Sequence, residues 1–382
     1  FTPFFLRDSC RESSHVNPIS SQKLFSSGEL GIPANQDIVT VEKCEIIQNS
    51  SDMDTLKVFW RDGHVSQYPE NFLRRYSTVD NIKSARYGYQ PFSLWNKTSI
   101  SEELSPKSLI VSYDEYMNTS LGLYRTLKGL HSHGLVFLRN IPHQPINTNH
   151  ISGVESLPVD NIIVERIAER IGYIKETFYG TSWDVKSIPN AKNIAYTSSF
   201  LPLHMDLLYY ESPPGLQYLH VIENQAKGGE SIFVDSFAAV KEVERVDKVA
   251  FEALKRVPVT YQYDNDGEYY YQSRPMVIMQ RDQKVIEAVN YSPPFQGPFE
   301  CHTDTEGFKD FQRGLAIFES FIEDPKNQVL LKMEENSCVI FQNRRVLHSR
   351  NEFDQMSGKR WFRGTYNDID TFWSRLRVMA RE

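Results

Sequence analysis

Leu216-Gln217-Tyr218-Leu219-His220-Val221 and, after the turn Gly228-Gly229-Glu230, Ser231-Ile232-Phe233-Val234 are two short apolar runs. Each is too brief for an ordinary helix and rich in the β-branched and aromatic residues that suit a pleated surface. Runs of the same kind recur from Val257 to Tyr263, Met276 to Met279, Val285 to Val289 and Val339 to Phe341. No regular alternation with helices separates them, as a doubly wound parallel sheet would require. The expectation is a mainly β protein with flanking helices, a mostly antiparallel sandwich or barrel with the helices packed outside. Neither G-x-G-x-x-G nor G-x-x-x-x-G-K-[ST] occurs, which weighs against a Rossmann or P-loop nucleotide site.

Outward from this stretch, Leu123, Leu127 and Leu130 have helical spacing, and Gly134 then releases the chain into the strand Leu135-Val136-Phe137-Leu138. Ile163, Ile167, Ile171 and Ile174 predict a helix ending near Gly180. Phe308, Phe311, Leu315, Phe318 and Ile322 predict another before Pro325. Near the start, Leu56, Val58 and Trp60 alternate, Arg61-Asp62-Gly63 reads as a turn, and Val65 to Tyr68 continues as a partner strand. The polar, irregular stretch from Ser77 to Pro106 reads as a linker. Two domains follow: a small β-rich one over 1–85 and a large one over 86–382.

Composition narrows the function. A chain of 382 residues with 24% charged residues has ample material for a core and is not disordered throughout. No run of about 18 apolar residues exists, so no membrane-spanning helix is expected. A net charge of −7 disfavours nucleic acid as a partner. The four cysteines, Cys10, Cys44, Cys301 and Cys338, form no C-x-x-C pair, so they read as free thiols of a reducing compartment, the last three buried. The expected location is the cytoplasm or the mitochondrion; the sequence opens on Phe1 rather than Met, which leaves a targeting segment open. The 20 Tyr, 23 Phe and 5 Trp read first as core.

The sharpest chemical signal is Leu203-His204-Met205-Asp206. In an extended strand, residues two apart share a face, so the imidazole of His204 and the carboxylate of Asp206 would point together. His348, just after the run Val339-Ile340-Phe341, suits a third ligand. Two histidines and one carboxylate hold one face of a six-coordinate metal and leave the other open, as non-haem Fe(II) oxygenases need. Arg360, twelve residues after His348, can grip a carboxylate with two parallel hydrogen bonds. Ser231, in the Gly228-Gly229-Glu230-Ser231 turn, would be a second donor to it.

Taken together, these features resemble the 2-oxoglutarate-dependent dioxygenases of the taurine dioxygenase-like group. Phe5-Leu6-Arg7-Asp8-Ser9, Trp60-Arg61-Asp62-Gly63-His64, Phe178-Tyr179-Gly180-Thr181-Ser182-Trp183 and Ala195-Tyr196-Thr197 are similar to the γ-butyrobetaine and trimethyllysine dioxygenase family within it. So is the stretch from Tyr366-Asn367-Asp368 to Ser374-Arg375-Leu376-Arg377. The resemblance implies a double-stranded β-helix (jelly-roll) catalytic domain behind a small N-terminal domain. It implies Fe(II) on His204, Asp206 and His348, and 2-oxoglutarate held by Arg360 and Ser231. Dioxygen would be consumed with release of succinate and CO2, with ascorbate as an auxiliary reductant and a homodimer as the assembly.

The resemblance also implies a small quaternary-ammonium substrate. A trimethylammonium group donates no conventional hydrogen bond, and aromatic faces attract it by about 0.5–2 kcal/mol per contact. The family's cage positions fall on Tyr179, Trp183, Tyr196 and Tyr366. Asn193 and Asn290 match its amide donors to a lone carboxylate, which leans toward γ-butyrobetaine and L-carnitine formation over trimethyllysine. In the N-terminal domain the family binds structural zinc. The matching positions here are Cys10, Glu12, His15 and His64, so either a mixed site remains or, more simply, the site has been lost or weakened. Two readings of other classes stand beside this one. A zinc hydrolase would use the same three ligands but leave Arg360 and the aromatic cage without a role. A non-enzymatic betaine binder would have no need to keep all four residues.

Overall fold

The computed structural model describes residues 1–31, 33–48, 53–87, 92–105, 108–148, 155–157, 161–186, 197–280 and 285–380. The chain forms two compact units, Phe1–Tyr89 and Gln90–Glu382. In the first, Val41–Ile47, Thr55–Trp60 and Val65–Pro69 make a three-stranded antiparallel sheet in chain order. The alternation of Leu56, Val58 and Trp60 turns Val58 and Trp60 inward against Leu6 and Tyr68. Gly63, at φ 84°, makes the turn between the second and third strands, in a backbone region that glycine enters without a Cβ penalty. The first strand carries no such alternation, because most of its side chains stay in solvent.

The second unit is built on two sheets. The larger has six strands in the order Ile110–Ser112, Leu135–Arg139, Cys338–Gln342, Leu216–Asn224, Arg360–Asn367, Ser182–Lys186. The smaller has four: Val329–Leu331, Ser231–Asp235, Val346–Arg350, Leu201–His204. Every pairing is antiparallel except that of Ile110–Ser112 with Leu135–Arg139. Alternate residues of both sheets, among them Gln217, Leu219, Arg360 and Phe362 of the larger and Ser231, Phe233, His348 and Arg350 of the smaller, line one cavity. A period of two thus sorts each strand into a cavity face and an outer face. The outer face of the larger sheet packs under Ser120–His133 and Ile163–Ile171, through Leu123, Leu127, Leu130, Val164 and Ile167. Glu306–Glu323 covers the other apolar cluster with Phe308, Phe311, Phe318 and Ile322.

Several expectations change. The isoleucine helix stops at Ile171 rather than near Gly180, and Ile174 instead pairs with Asn367 as an isolated bridge. Gly172 takes over there because a Cβ would sit 2.4 Å from Thr371. The stretch read as a linker contains two helices, Val79–Tyr87 and Lys97–Glu103. The second is capped by Asn96 and buries Ile100, while Trp95 just before it is also buried. Polar composition hid these two anchors. Cys338 is buried, but Cys301 is half-buried and Cys44 is exposed on an outer strand position. No described helix is long and apolar enough to cross a membrane.

Candidate metal centre and co-substrate pocket

His204 ends the strand Leu201–His204, and antiparallel pairing sets it directly opposite His348. Their ring centroids are 4.2 Å apart. The strand does not continue through Asp206 as the H-x-D pattern suggested; the chain turns at Asp206, and Leu207 has φ 56°. The carboxylate converges on the histidines all the same. Asp206 Oδ1 lies 3.2 Å from His204 Nε2 and 3.9 Å from His348 Nε2. Asn343 holds that turn, accepting from the Asp206 N–H at 2.8 Å and donating to the Asp206 carbonyl at 2.9 Å. Asn343 was not picked out from the sequence. Its signal is a wholly buried amide between two apolar strands, visible only once burial is known.

The electrostatics suit a cation. His204 Nδ1 is 2.8 Å from the Pro202 carbonyl, which places the proton on Nδ1 and leaves the Nε2 lone pair facing His348 and Asp206. Burial, reinforced by His204 alongside, pushes His348 down to about 3, so its imidazole is neutral. Burial alone would raise Asp206, but its polar surroundings, the His204 and His348 rings and the Tyr366 hydroxyl that donates to it, hold its carboxyl well below the usual range. One nitrogen from each histidine and one carboxylate oxygen all lie within 4.8 Å of one another. This is a fitting donor set for a divalent first-row metal.

Arg360 opens the strand Arg360–Asn367 and faces the same cavity. Its guanidinium lies 4.0 Å from the Phe362 ring centroid and 5.4 Å from that of Phe353. Its buried Nε has no hydrogen-bond partner among the described residues. Burial, and then the nearby Arg350, push it down to about 9. Ser231 is buried in the same wall. Gly228 and Gly229 before it have φ of 79° and 68°, and a Cβ on Gly229 would lie 3.0 Å from Arg360 Nε. The turn is therefore glycine both for its backbone and for the guanidinium beside it. Arg350, two residues past His348, is a second buried guanidinium that the sequence reading missed. Its Nη2 donates to the carbonyls of Thr197 and Ser199, each at 2.8 Å, and its charge lies 5.2 Å from the Phe353 ring.

Among the aromatic residues, Trp183 lines the cavity and packs on Tyr366 at 4.2 Å with the rings tilted by 30°; neither Tyr366 nor Tyr179 lines the cavity. Tyr179 follows at 6.0 Å from Trp183. The Tyr366 hydroxyl donates to Asp206 Oδ2 at 2.6 Å. Asn193 and Tyr196 lie outside the described residues. Asn290 is fully buried but does not line the cavity. Its Nδ2 donates to the Pro275 carbonyl at 2.7 Å, and its Oδ1 has no partner among the described residues. In the first unit, Cys10, His15 and His64 bring a sulfur and two ring nitrogens within 4.8 Å, with Cys10 Sγ 3.3 Å from His64 Nε2. Glu12 does not join that group.

The model of the taurine catabolism dioxygenase TauD, TfdA family matches residues 100–366. The chain belongs to this family. It is accordingly an Fe(II)- and 2-oxoglutarate-dependent oxygenase, and the hydrolase and non-enzymatic readings fall. Dioxygenase str8 of Strobilurus tenacellus is 33% identical, over 99% of this chain and 85% of its own. The probable oxidoreductase AIM17 of Saccharomyces cerevisiae is 34% identical, over 100% of this chain and 85% of its own. The γ-butyrobetaine dioxygenase of a Pseudomonas species is 27% identical, over 100% of this chain and 91% of its own.

Proposed function

We propose that the protein hydroxylates an unactivated C–H bond of a small quaternary-ammonium substrate, first of all γ-butyrobetaine. The observation that carries this reading is the single cavity in which the His204–Asp206–His348 donors, the buried cation Arg360 and the indole of Trp183 all meet. His204, Asp206 and His348 are the residues that would hold Fe(II). Bound there with 2-oxoglutarate, the metal supplies dioxygen activation, yielding succinate, CO2 and a hydroxylated product. Arg360 anchors the distal carboxylate of the co-substrate, with the Ser231 hydroxyl as a second donor. Desolvation makes that ion pair stronger than it would be in water. Trp183 offers its π-face to the cation, with Tyr179 and Tyr366 packed around it outside the cavity lining, so that one C–H bond is presented to the metal, and most of its catalytic effect is orientation.

Trimethyllysine is the second reading; Asn290, fully buried and away from the cavity lining, does not discriminate between the two substrates. In the first unit, we propose a three-ligand zinc site on Cys10, His15 and His64. Burial pushes His64 down to about 4, leaving a neutral ring beside a buried thiol. Metal analysis of the purified chain should give zinc that Cys10→Ser removes; zinc-free protein of unchanged stability would dismiss that site.

The test of function is anaerobic loading with Fe(II) and 2-oxoglutarate, then oxygen, with succinate measured across γ-butyrobetaine, trimethyllysine and neutral isosteres. Stimulation by γ-butyrobetaine above all others is expected. Turnover with trimethyllysine alone selects the second reading, and equal turnover with a neutral tert-butyl isostere would refute recognition of the cation. His204→Ala should abolish succinate release.

A further inference from the structure

We infer that Tyr366 is a positioning residue for the metal-binding carboxylate, a role separate from any contact with substrate. The inference rests on reading His204, Asp206 and His348 as the metal ligands. Asp206 has two oxygens in a buried site, and they have different neighbours. Oδ1 faces the two imidazole nitrogens, at 3.2 and 3.9 Å. Oδ2 accepts the Tyr366 hydroxyl at 2.6 Å. With Oδ2 occupied, the carboxylate presents a single oxygen to the centre, and its rotation about the Cβ–Cγ bond is blocked.

The hydroxyl is held there by the protein. Tyr366 is 2% exposed and sits near the end of the fifth strand of the larger sheet, opposite Gln217. Its carbonyl accepts from the Lys175 N–H at 2.8 Å. Trp183 packs on its ring, and the indole has room because residue 364 is glycine: a Cβ there would lie 2.6 Å from Trp183 Cζ2. Tyr366 is six residues from Arg360 on the same strand, and so on the same face. One strand therefore carries both the co-substrate cation and the group that orients the metal carboxylate. An outer-shell hydrogen bond of this kind typically changes metal affinity ten- to a hundred-fold.

Tyr366→Phe separates this role from that of a cage wall, since it keeps the ring and removes only the O–H. Co(II) titration of the metal-free protein without substrate, followed by its visible d–d spectrum, reads the metal site directly. The expected result is affinity about ten-fold lower or worse and an altered spectrum, with a thermal midpoint close to that of the parent. Tyr116→Phe, which removes another buried hydroxyl, bonded to the Ile167 carbonyl away from the cavity, serves as the control and should bind Co(II) like the parent. Parent-like affinity and spectrum in Tyr366→Phe would overturn the inference, and so would equal losses in Tyr366→Phe and Tyr116→Phe. Failure of the ligand assignment itself shows separately, as undiminished Co(II) binding in His204→Ala. Because no substrate is present, the outcome does not depend on which amine is hydroxylated.

Discussion

Arg360 is the residue whose environment states its partner most directly. A buried guanidinium flanked by two aromatic rings, its Nε without a partner among the described residues, is costly until an anion arrives. Replacing it with Met should therefore raise the KM for 2-oxoglutarate about ten- to a hundred-fold, the usual worth of charge-assisted hydrogen bonds of this kind. The KM for the amine should move far less. Initial rates with each substrate varied in turn would check this; a shift confined to the amine would place Arg360 outside the co-substrate site. The candidate ligand residues could be singled out in the sequence because H-x-D, a later His and an Arg are chemically unusual in combination. Arg350 was not, because an arginine two residues past a ligand has no meaning until its face of the strand is known.

At the scale of the element, two glycines determine what the strands can carry. Gly364 lies opposite Trp183, and its missing Cβ is the space the indole occupies. Gly364→Ala should displace Trp183, weaken amine binding several-fold and leave 2-oxoglutarate affinity nearly intact, as measured by isothermal titration of the metal-loaded protein under nitrogen. Gly229→Ala should do the reverse. Its Cβ would press on Arg360, and its φ of 68° is strained for alanine, so the KM for 2-oxoglutarate should rise first. Equal effects of the two substitutions on both ligands would mean that the turn and the strand do not divide the cavity in this way. Secondary structure followed from periodicity wherever a strand or helix had one wet and one dry side. It failed at Gly172 and over Lys97–Glu103, where a close contact and two isolated buried anchors decided the outcome.

At the scale of the whole molecule, stability carries a pH signature from His220. It is 1% exposed in the central strand of the larger sheet, on the face away from the cavity, and neither ring nitrogen has a partner among the described residues. Burial, with a small contribution from His143, pushes it down to about 4 from an ordinary value near 6.5. Between those values the unfolded chain binds more protons than the folded one, so its contribution to stability is complete above pH 6.5 and is lost as pH falls toward 4. The loss at pH 5 is on the order of 2 kcal/mol. Urea unfolding of the parent and of His220→Leu at pH 7 and pH 5 would test it: the variant should lose less between the two. Parallel losses would show that His220 does not govern acid sensitivity.

The amino-acid order by itself determined that short strands would build the core, that helices would flank them, and which side chains had the chemistry to bind a metal and a dicarboxylate. These follow from local facts, namely periodicity, turn residues and ligand types. Only the tertiary structure decided that His204 faces His348 across a strand pair, that Asp206 reaches them from a turn clamped by Asn343, and that Tyr366 spends its hydroxyl on Asp206. Those contacts join residues more than a hundred positions apart. Their distances are set by sheet register and by what must be buried, and neither is written in any local stretch of the chain.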